Sequence, residues 1–375
     1  MIKMNKGEWS EDYAILKLLL DGVVYEQNDD GTKSDAYMRI LSVIKLLKDG
    51  SSYEFCRHKD NVECIYKGEK YKSISYNDIK LAVGNAFEEI SSGQGRSFEA
   101  PKTEAFFINE LGLKTLKAVS EDKNDLYLRI ENPKDGAVYV DGFSVKSLVG
   151  KSPTLFNCSI ASNLVFEVKD CSEDKMKEFN ALVSDKSVLF KDVLIQLTKT
   201  NELHFLNSRY INSSKSKYGD LKIPGYYFAW NVDLLDIRIL YVLSEMTKAF
   251  YLLRGYSKTV DLLELLRNTN PLKVDFPESF YEMKMRQFLF AAFSGLTASE
   301  KWSGKQKVNG GYLEVQKDGE ILYQKAISDE KFTDYLIKTT RIDGPSRDKY
   351  DYGRIYFDEE YYKYCIDLNF QIRFR

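Results

Sequence analysis

The sequence predicts a mixed α+β protein: a mixed β-sheet flanked by helices, with a largely helical middle region. Three observations carry this. Residues 8–20 repeat apolar side chains at helical spacing, 126–130 and 137–147 alternate around a turn cluster, and 173–296 is mostly helical before alternation returns. A chain of 375 residues exceeds the roughly 250–300 at which single cores stop growing, so more than one lobe is expected. The expected division is 1–170 for N-terminal helices and a core hairpin, 171–300 for a helical region, and 301–375 for a β-rich segment.

Composition narrows the class. With 43% hydrophobic and 29% charged residues the chain has a globular make-up, and no run of about 18 apolar residues suggests a membrane span. The start, MIKMNKGEWSEDY, has no apolar signal core, and the five cysteines are scattered and odd in number. A reducing cytoplasm is the expected location. Only His58 and His204 are present, so a His-rich zinc centre is hard to build, and His58 near Cys56 and Cys64 lacks a fourth ligand. A formal charge of −2 excludes a uniformly basic coat but leaves room for a local basic cleft.

In chain order, the first helix places Trp9, Tyr13, Leu16 and Leu20 on one stripe and Glu8, Glu11, Ile15 and Leu19 on another. Two acids therefore head a partly buried face. Residues 35–49 and 77–91 repeat helical spacing, and the SSGQGRSF loop, 91–98, reads as a helix stop, since no GK[ST] follows its GxG. Another helix is expected over 101–111. LYLRI (126–130), the turn NPKDG (132–136) and AVYVDGFSVKS (137–147) read as a β-hairpin. Residues 152–168 suggest a loop, a short helix and a strand ending near Val168. Helices follow at 173–183, 187–198, about 232–256, 259–268 and 278–296. A hairpin on Asp318-Gly319 spans 312–327, a helix covers 329–338, and two alternating runs end the chain.

The hairpin carries the chemistry. Residues two apart on a strand share a face, so Ser144 goes with Lys146, and Asp125 with Tyr127 and Arg129 on the neighbouring strand. Normal pairing brings Asp125 and Lys146 together at one sheet end. A carboxylate, a lysine and a further acid form the constellation of metal-dependent phosphodiester hydrolysis: acids hold Mg²⁺, the metal activates water, and lysine stabilises phosphorane charge. On these residues alone, a strand-end lysine reaching solvent beside an unrelated aspartate stays open.

NKGEWSEDYAILKLL (5–19), GRSF (95–98), KNDLYLRI (123–130), GFSVKSLVG (142–150), SPTLFNCSIASNLVFEV (152–168), GGYLEVQKDGE (310–320) and GPSRDKYDYGRIY…LNFQIRF (344–374) stand in one order along the chain. Together they resemble the HpaII family of type II restriction endonucleases, while 171–300 matches only in helical character. The resemblance implies a PD-(D/E)xK-like nuclease core, a homodimer on a short palindrome of double-stranded DNA such as CCGG, Mg²⁺ as cofactor, and a methyltransferase protecting the same site. It makes Asp125 the metal-binding aspartate and Lys146 the catalytic lysine. The departure is Ser144, where the general nuclease pattern has Asp or Glu. The missing acid is expected from Glu8 first, Glu11 second and Glu167 third, whereas Asp141 has the parity of Phe143 and Val145 and reads as an edge or turn acid.

Two basic, turn-rich loops suit DNA contact. Residues 208–222 carry Arg209, Lys215, Lys217 and Lys222; GPSRDKYDYGR carries Ser346, Arg347, Lys349 and Arg354 and is the favoured reader. WSGKQK (302–307) ranks third. Two alternatives stand beside a restriction endonuclease: a repair or structure-specific nuclease with the same site, and a catalytically inert DNA-binding module, which Ser144 keeps open.

Overall fold

The computed structural model describes residues 1–28, 31–47, 51–116, 124–150, 152–208, 226–304, 310–325, 330–346 and 349–375. The chain divides into two compact units, one of 1–153 with 306–332 and the other of 154–305 with 333–375. Sheets and helices are mixed throughout, as the periodicities predict, and no helix among the described residues is long and apolar enough to cross a membrane.

The first unit is built on a nine-stranded sheet. Its order is Val23–Gln27, Ile321–Lys325, Gly311–Val315, Val138–Ser147, Leu126–Glu131, Lys33–Leu46, Ser52–Arg57, Asn61–Tyr66 and Glu69–Ser75. Val23–Gln27 also pairs with Lys33–Leu46, so the first six strands close into a ring. The expected hairpin forms, with Leu126 opposite Phe143 and Leu128 opposite Asp141. Alternation along Leu126–Glu131 buries Leu126, Leu128 and Ile130 on one face. The helix Lys6–Asp21 packs against five strands of the ring and buries Trp9, Tyr13, Ile15, Leu16 and Leu19. Asn5 caps it and Gly22 ends it in the left-handed conformation, φ 70°.

The second unit holds two antiparallel sheets. One runs Leu203–Ser208, Leu164–Val168, Lys363–Leu368, Ile355–Asp358; the other runs Thr154–Phe156, Gln371–Phe374, Thr340–Asp343. Phe156, Phe228, Phe288 and Phe370 are all buried, and Phe156 meets the other three with ring centroids 5.2–5.6 Å apart.

Two expectations are corrected. Residues 35–49 are not a helix: Lys33–Leu46 is a strand whose pairing with Leu126–Glu131 shifts register between Ile40 and Ser42. That bulge moves the buried positions from even to odd numbers, and the broken period imitates helical spacing. The expected helix 232–256 is two helices, Tyr226–Asp233 and Arg238–Leu252. Strand pairing runs across the expected divisions at 170 and 300. Leu164–Val168 pairs with strands of the second unit, and Gly311–Val315 pairs in parallel with Val138–Ser147 of the first.

Candidate functional site

The site begins with the turn that precedes Leu126–Glu131. Asp125 N–H donates to the Phe143 carbonyl at 2.8 Å, which pins the residue against the neighbouring strand. Its Oδ2 accepts from Val145 N–H at 2.7 Å and from the Ser144 hydroxyl at 3.0 Å. Among the described residues Oδ1 accepts no hydrogen bond. Lys146 Nζ in turn donates to Ser144 Oγ at 2.8 Å. Serine has one donor and two acceptor positions, so it links ammonium to carboxylate in one chain, Lys146 to Ser144 to Asp125.

Close backbone approach makes this possible. A Cβ on Gly142 would lie 2.4 Å from the Asn124 side chain, and one on Gly310 would lie 2.7 Å from the Gly142 carbonyl. Side chains at either position would wedge the Asp125 turn or the Gly311–Val315 strand away from Val138–Ser147.

Glu11 arrives from the helix Lys6–Asp21. The residues on either side of it are anchored: the Ser10 and Ser147 hydroxyls bond at 2.8 Å, and Asp12 meets Lys45 at 2.6 Å with both side chains buried. Asp12 Oδ2 has no hydrogen-bond partner among the described residues. Burial pushes the Glu11 carboxyl well above the ordinary carboxylate range; Asp125 and then Asp12 push the same way, while Lys45 and Lys146 oppose them. Glu11 therefore stands within the electrostatic reach of both Asp125 and Lys146.

Glu8 is employed elsewhere. Its carboxylate accepts the Asn5 N–H at 2.7 Å and its own N–H donates to Asn5 Oδ1 at 3.1 Å, a reciprocal helix cap. Sequence order placed Glu8 ahead of Glu11, and the helix-start acid proves to be the capping one. Glu167, in the second unit, accepts from Lys363 at 2.8 Å and pairs with Lys169 at 3.0 Å. Burial would raise its carboxyl, yet these two lysines hold it below the usual range. Asp141 lies opposite Leu128, and burial raises its carboxyl against the pull of Lys325. His58 pairs with Glu63 at 3.0 Å. Among the described residues no three His, Cys, Asp or Glu side chains gather to hold a metal ion.

Of the residues expected to meet DNA, Arg209, Lys215, Lys217, Lys222 and Arg347 lie outside the described residues, as do positions 305–307 of WSGKQK. Ser346 accepts the Lys349 N–H at 3.0 Å in an exposed turn, and Arg354 donates to Ser184 Oγ at 3.2 Å. This loop is braced from beneath. Asn163 Nδ2 donates to the Tyr350 carbonyl at 2.8 Å, Gly353 N–H to the Asp367 carbonyl at 2.9 Å, and the Tyr352 hydroxyl to the Pro345 carbonyl at 2.6 Å.

Sequence reasoning missed the buried Lys45–Asp12 pair and the parallel pairing that sets Gly311–Val315, the first arm of the expected 312–327 hairpin, beside Val138–Ser147. A lysine inside the apolar run ILSVIKLL was the available signal for the first; nothing local marks the second.

Comparison with known proteins agrees with the seven matching segments. The family model described as HpaII restriction endonuclease matches residues 5–374. The type II restriction enzyme HpaII of Haemophilus parainfluenzae is 30% identical over 374 residues, 99% of this chain and 98% of that protein. No solved structure matches. A family match from residue 5 to residue 374, with that identity along the same length, leads to one conclusion: the chain belongs to the HpaII family of type II restriction endonucleases.

Proposed function

We propose that the protein cuts both strands of DNA at a short palindrome, of the CCGG type, in a Mg²⁺-dependent reaction centred on Asp125, Ser144, Lys146 and Glu11. The observation that carries this is the hydrogen-bond chain from Lys146 through Ser144 to Asp125, whose charge also acts on Glu11. Asp125 and Glu11 fit a hard divalent ion. Mg²⁺ takes one or two carboxylates and keeps several waters, and a cation would offset the burial, and then the Asp125 and Asp12 charges, that raise Glu11. When bound, Mg²⁺ supplies a water of lowered pKa and steadies the departing oxygen.

The chain's own residues do the rest. Val145 N–H and the Ser144 hydroxyl fix Asp125 through Oδ2 and leave Oδ1 to a ligand. Lys146 spends one of its three donors on Ser144, so the others can meet phosphate oxygens as charge accumulates on them. Ser144 contributes no charge to a metal; its part is to join lysine and aspartate. The second carboxylate comes from Glu11 in place of the sequence-favoured Glu8, whose oxygen serves the helix cap.

A homodimer would match the twofold symmetry of a palindrome, and a methyltransferase of the same specificity would protect the host site. The basic loop with Ser346, Arg347, Lys349 and Arg354, together with Arg209, Lys215 and Lys217, would hold the duplex. The test is incubation of the purified protein with unmethylated plasmid, with and without Mg²⁺, and sequencing of the fragment ends. Discrete Mg²⁺-dependent ends at one palindrome are expected. A smear would point to a repair or nonspecific nuclease, and intact plasmid that is nonetheless bound would point to an inert DNA-binding module.

A further inference from the structure

Lys146 has a neighbour that its own strand does not reveal. Gly311–Val315 runs parallel to Val138–Ser147, with Tyr312 opposite Ser144 and Glu314 opposite Lys146. Residues in register on adjacent strands face the same way, so Tyr312 stands beside the serine that joins Lys146 to Asp125. The Tyr312 ring centroid lies 5.5 Å from Lys146 Nζ, inside the ~6 Å over which an ammonium is drawn to an aromatic ring.

The ring is held from several sides. Tyr312 is 2% exposed, and Phe332 packs against it with centroids 5.9 Å apart. Burial, then Asp125, then Glu314 push its phenol far above the ordinary range, so the side chain stays neutral. Glu314 is buried too, and its Oε1 accepts from Gln27 at 2.9 Å and Gln316 at 2.7 Å. The strand therefore presents a fixed aromatic surface in a polar setting.

A lysine stem has four rotatable carbons, and one hydrogen bond to Ser144 leaves the ammonium many alternatives. A buried ring within reach of the same ammonium removes most of them. We infer that Tyr312 is a positioning residue: its ring is the shelf that keeps the Lys146 ammonium against Ser144, aimed at the scissile phosphate. This rests on the nuclease site proposed above. The ring acts through Lys146, so Tyr312 is a positioning and not a catalytic residue.

The experiment compares Tyr312→Phe, which keeps the ring, with Tyr312→Leu, which removes it at similar bulk. Single-turnover cleavage of plasmid is measured in saturating Mg²⁺, and DNA affinity is measured in Ca²⁺. Tyr312→Leu should cleave about tenfold slower or worse while its Kd for DNA stays within about threefold; Tyr312→Phe should keep both rate and Kd within about threefold of the parent. Tyr312→Met, a pliable apolar filler, should behave as Leu does and serves if Leu fails to fold. Parental rates in the ring-less variants overturn the inference, and so do equal losses in Phe and Leu, which would put the role in the hydroxyl. Lys146→Ala in the same assay separates this from the site itself. If that variant cleaves normally, the nuclease site and the shelf fall together; if it is dead while Tyr312→Leu is fast, the shelf alone falls.

Discussion

The Ser144 hydroxyl donates to Asp125 Oδ2 at 3.0 Å. Because that hydroxyl also accepts from Lys146 at 2.8 Å, it connects the lysine to the aspartate. Ser144→Ala breaks both bonds at once. Hydrogen bonds to charged groups are worth about 1.5–3 kcal/mol, so single-turnover cleavage should fall about 10- to 100-fold. DNA affinity, read by anisotropy in Ca²⁺, should hardly change; an unchanged cleavage rate would remove Ser144 from the chain.

Glu11→Gln should impair Mg²⁺-dependent cleavage far more than Glu8→Gln. This reverses the order that the sequence suggested, for a structural reason: Glu8 spends its carboxylate on the Asn5 N–H, while Glu11 feels Asp125 and Lys146. Glu8→Gln should instead cost about 0.3–1 kcal/mol of helix stability, visible in a urea titration. Rates measured across a Mg²⁺ series decide between the two acids.

The raised Glu11 carboxyl makes a pH prediction. A carboxyl that holds its proton more firmly folded than unfolded binds more protons in the native state, between the ordinary value of 4.5 and its raised folded value. Stability of the metal-free protein then falls as pH rises through that window. Asp12, raised by burial against the pull of Lys45, acts in the same sense. Glu11→Gln should flatten the slope of denaturation free energy against pH, and a slope identical to the parent's would contradict the assignment.

Lys45 and Asp12 form a buried pair at 2.6 Å that ties the strand Lys33–Leu46 to the helix carrying Glu11. Removing one partner strands a buried charge, so Lys45→Met alone should cost about 3–5 kcal/mol. Lys45→Met with Asp12→Leu should recover much of that stability in the same denaturation assay. Equal losses in the single and double variants would show that the pair does not act as a unit.

Lys349→Ala and Arg354→Ala test the loop of the second unit. If each residue neutralises one phosphate, each variant should reduce the slope of log affinity against log salt by about 0.9. Loss of discrimination between sites at an unchanged slope would assign the residue to base reading instead.

Much of the geometry of the candidate site was legible because it is local. Period-2 alternation alone puts Ser144 and Lys146 on one face, and a turn cluster at 132–136 folds Asp125 back onto them. The helix at 6–21 was equally plain from its stripes. What the sequence hid was non-local. Tyr312 comes beside Ser144 only through a parallel pairing between strands more than 160 residues apart, and no spacing rule reports such a register. The strand at 33–46 was obscured by its own bulge, which breaks alternation in a segment that mostly points apolar groups inward. Three-residue spacing puts Glu8 and Glu11 on one stripe, and the Asn5 hydrogen bond that distinguishes Glu8 belongs to a cap that the stripe does not report.

The most direct test of the central claim is the single-turnover cleavage rate of Lys146→Ala and Asp125→Ala on unmethylated plasmid, beside their DNA affinity in Ca²⁺ and their denaturation curves. The arrangement of Asp125, Ser144 and Lys146 predicts folded proteins that bind DNA and do not cut it. Cutting at the parental rate by either variant would contradict it.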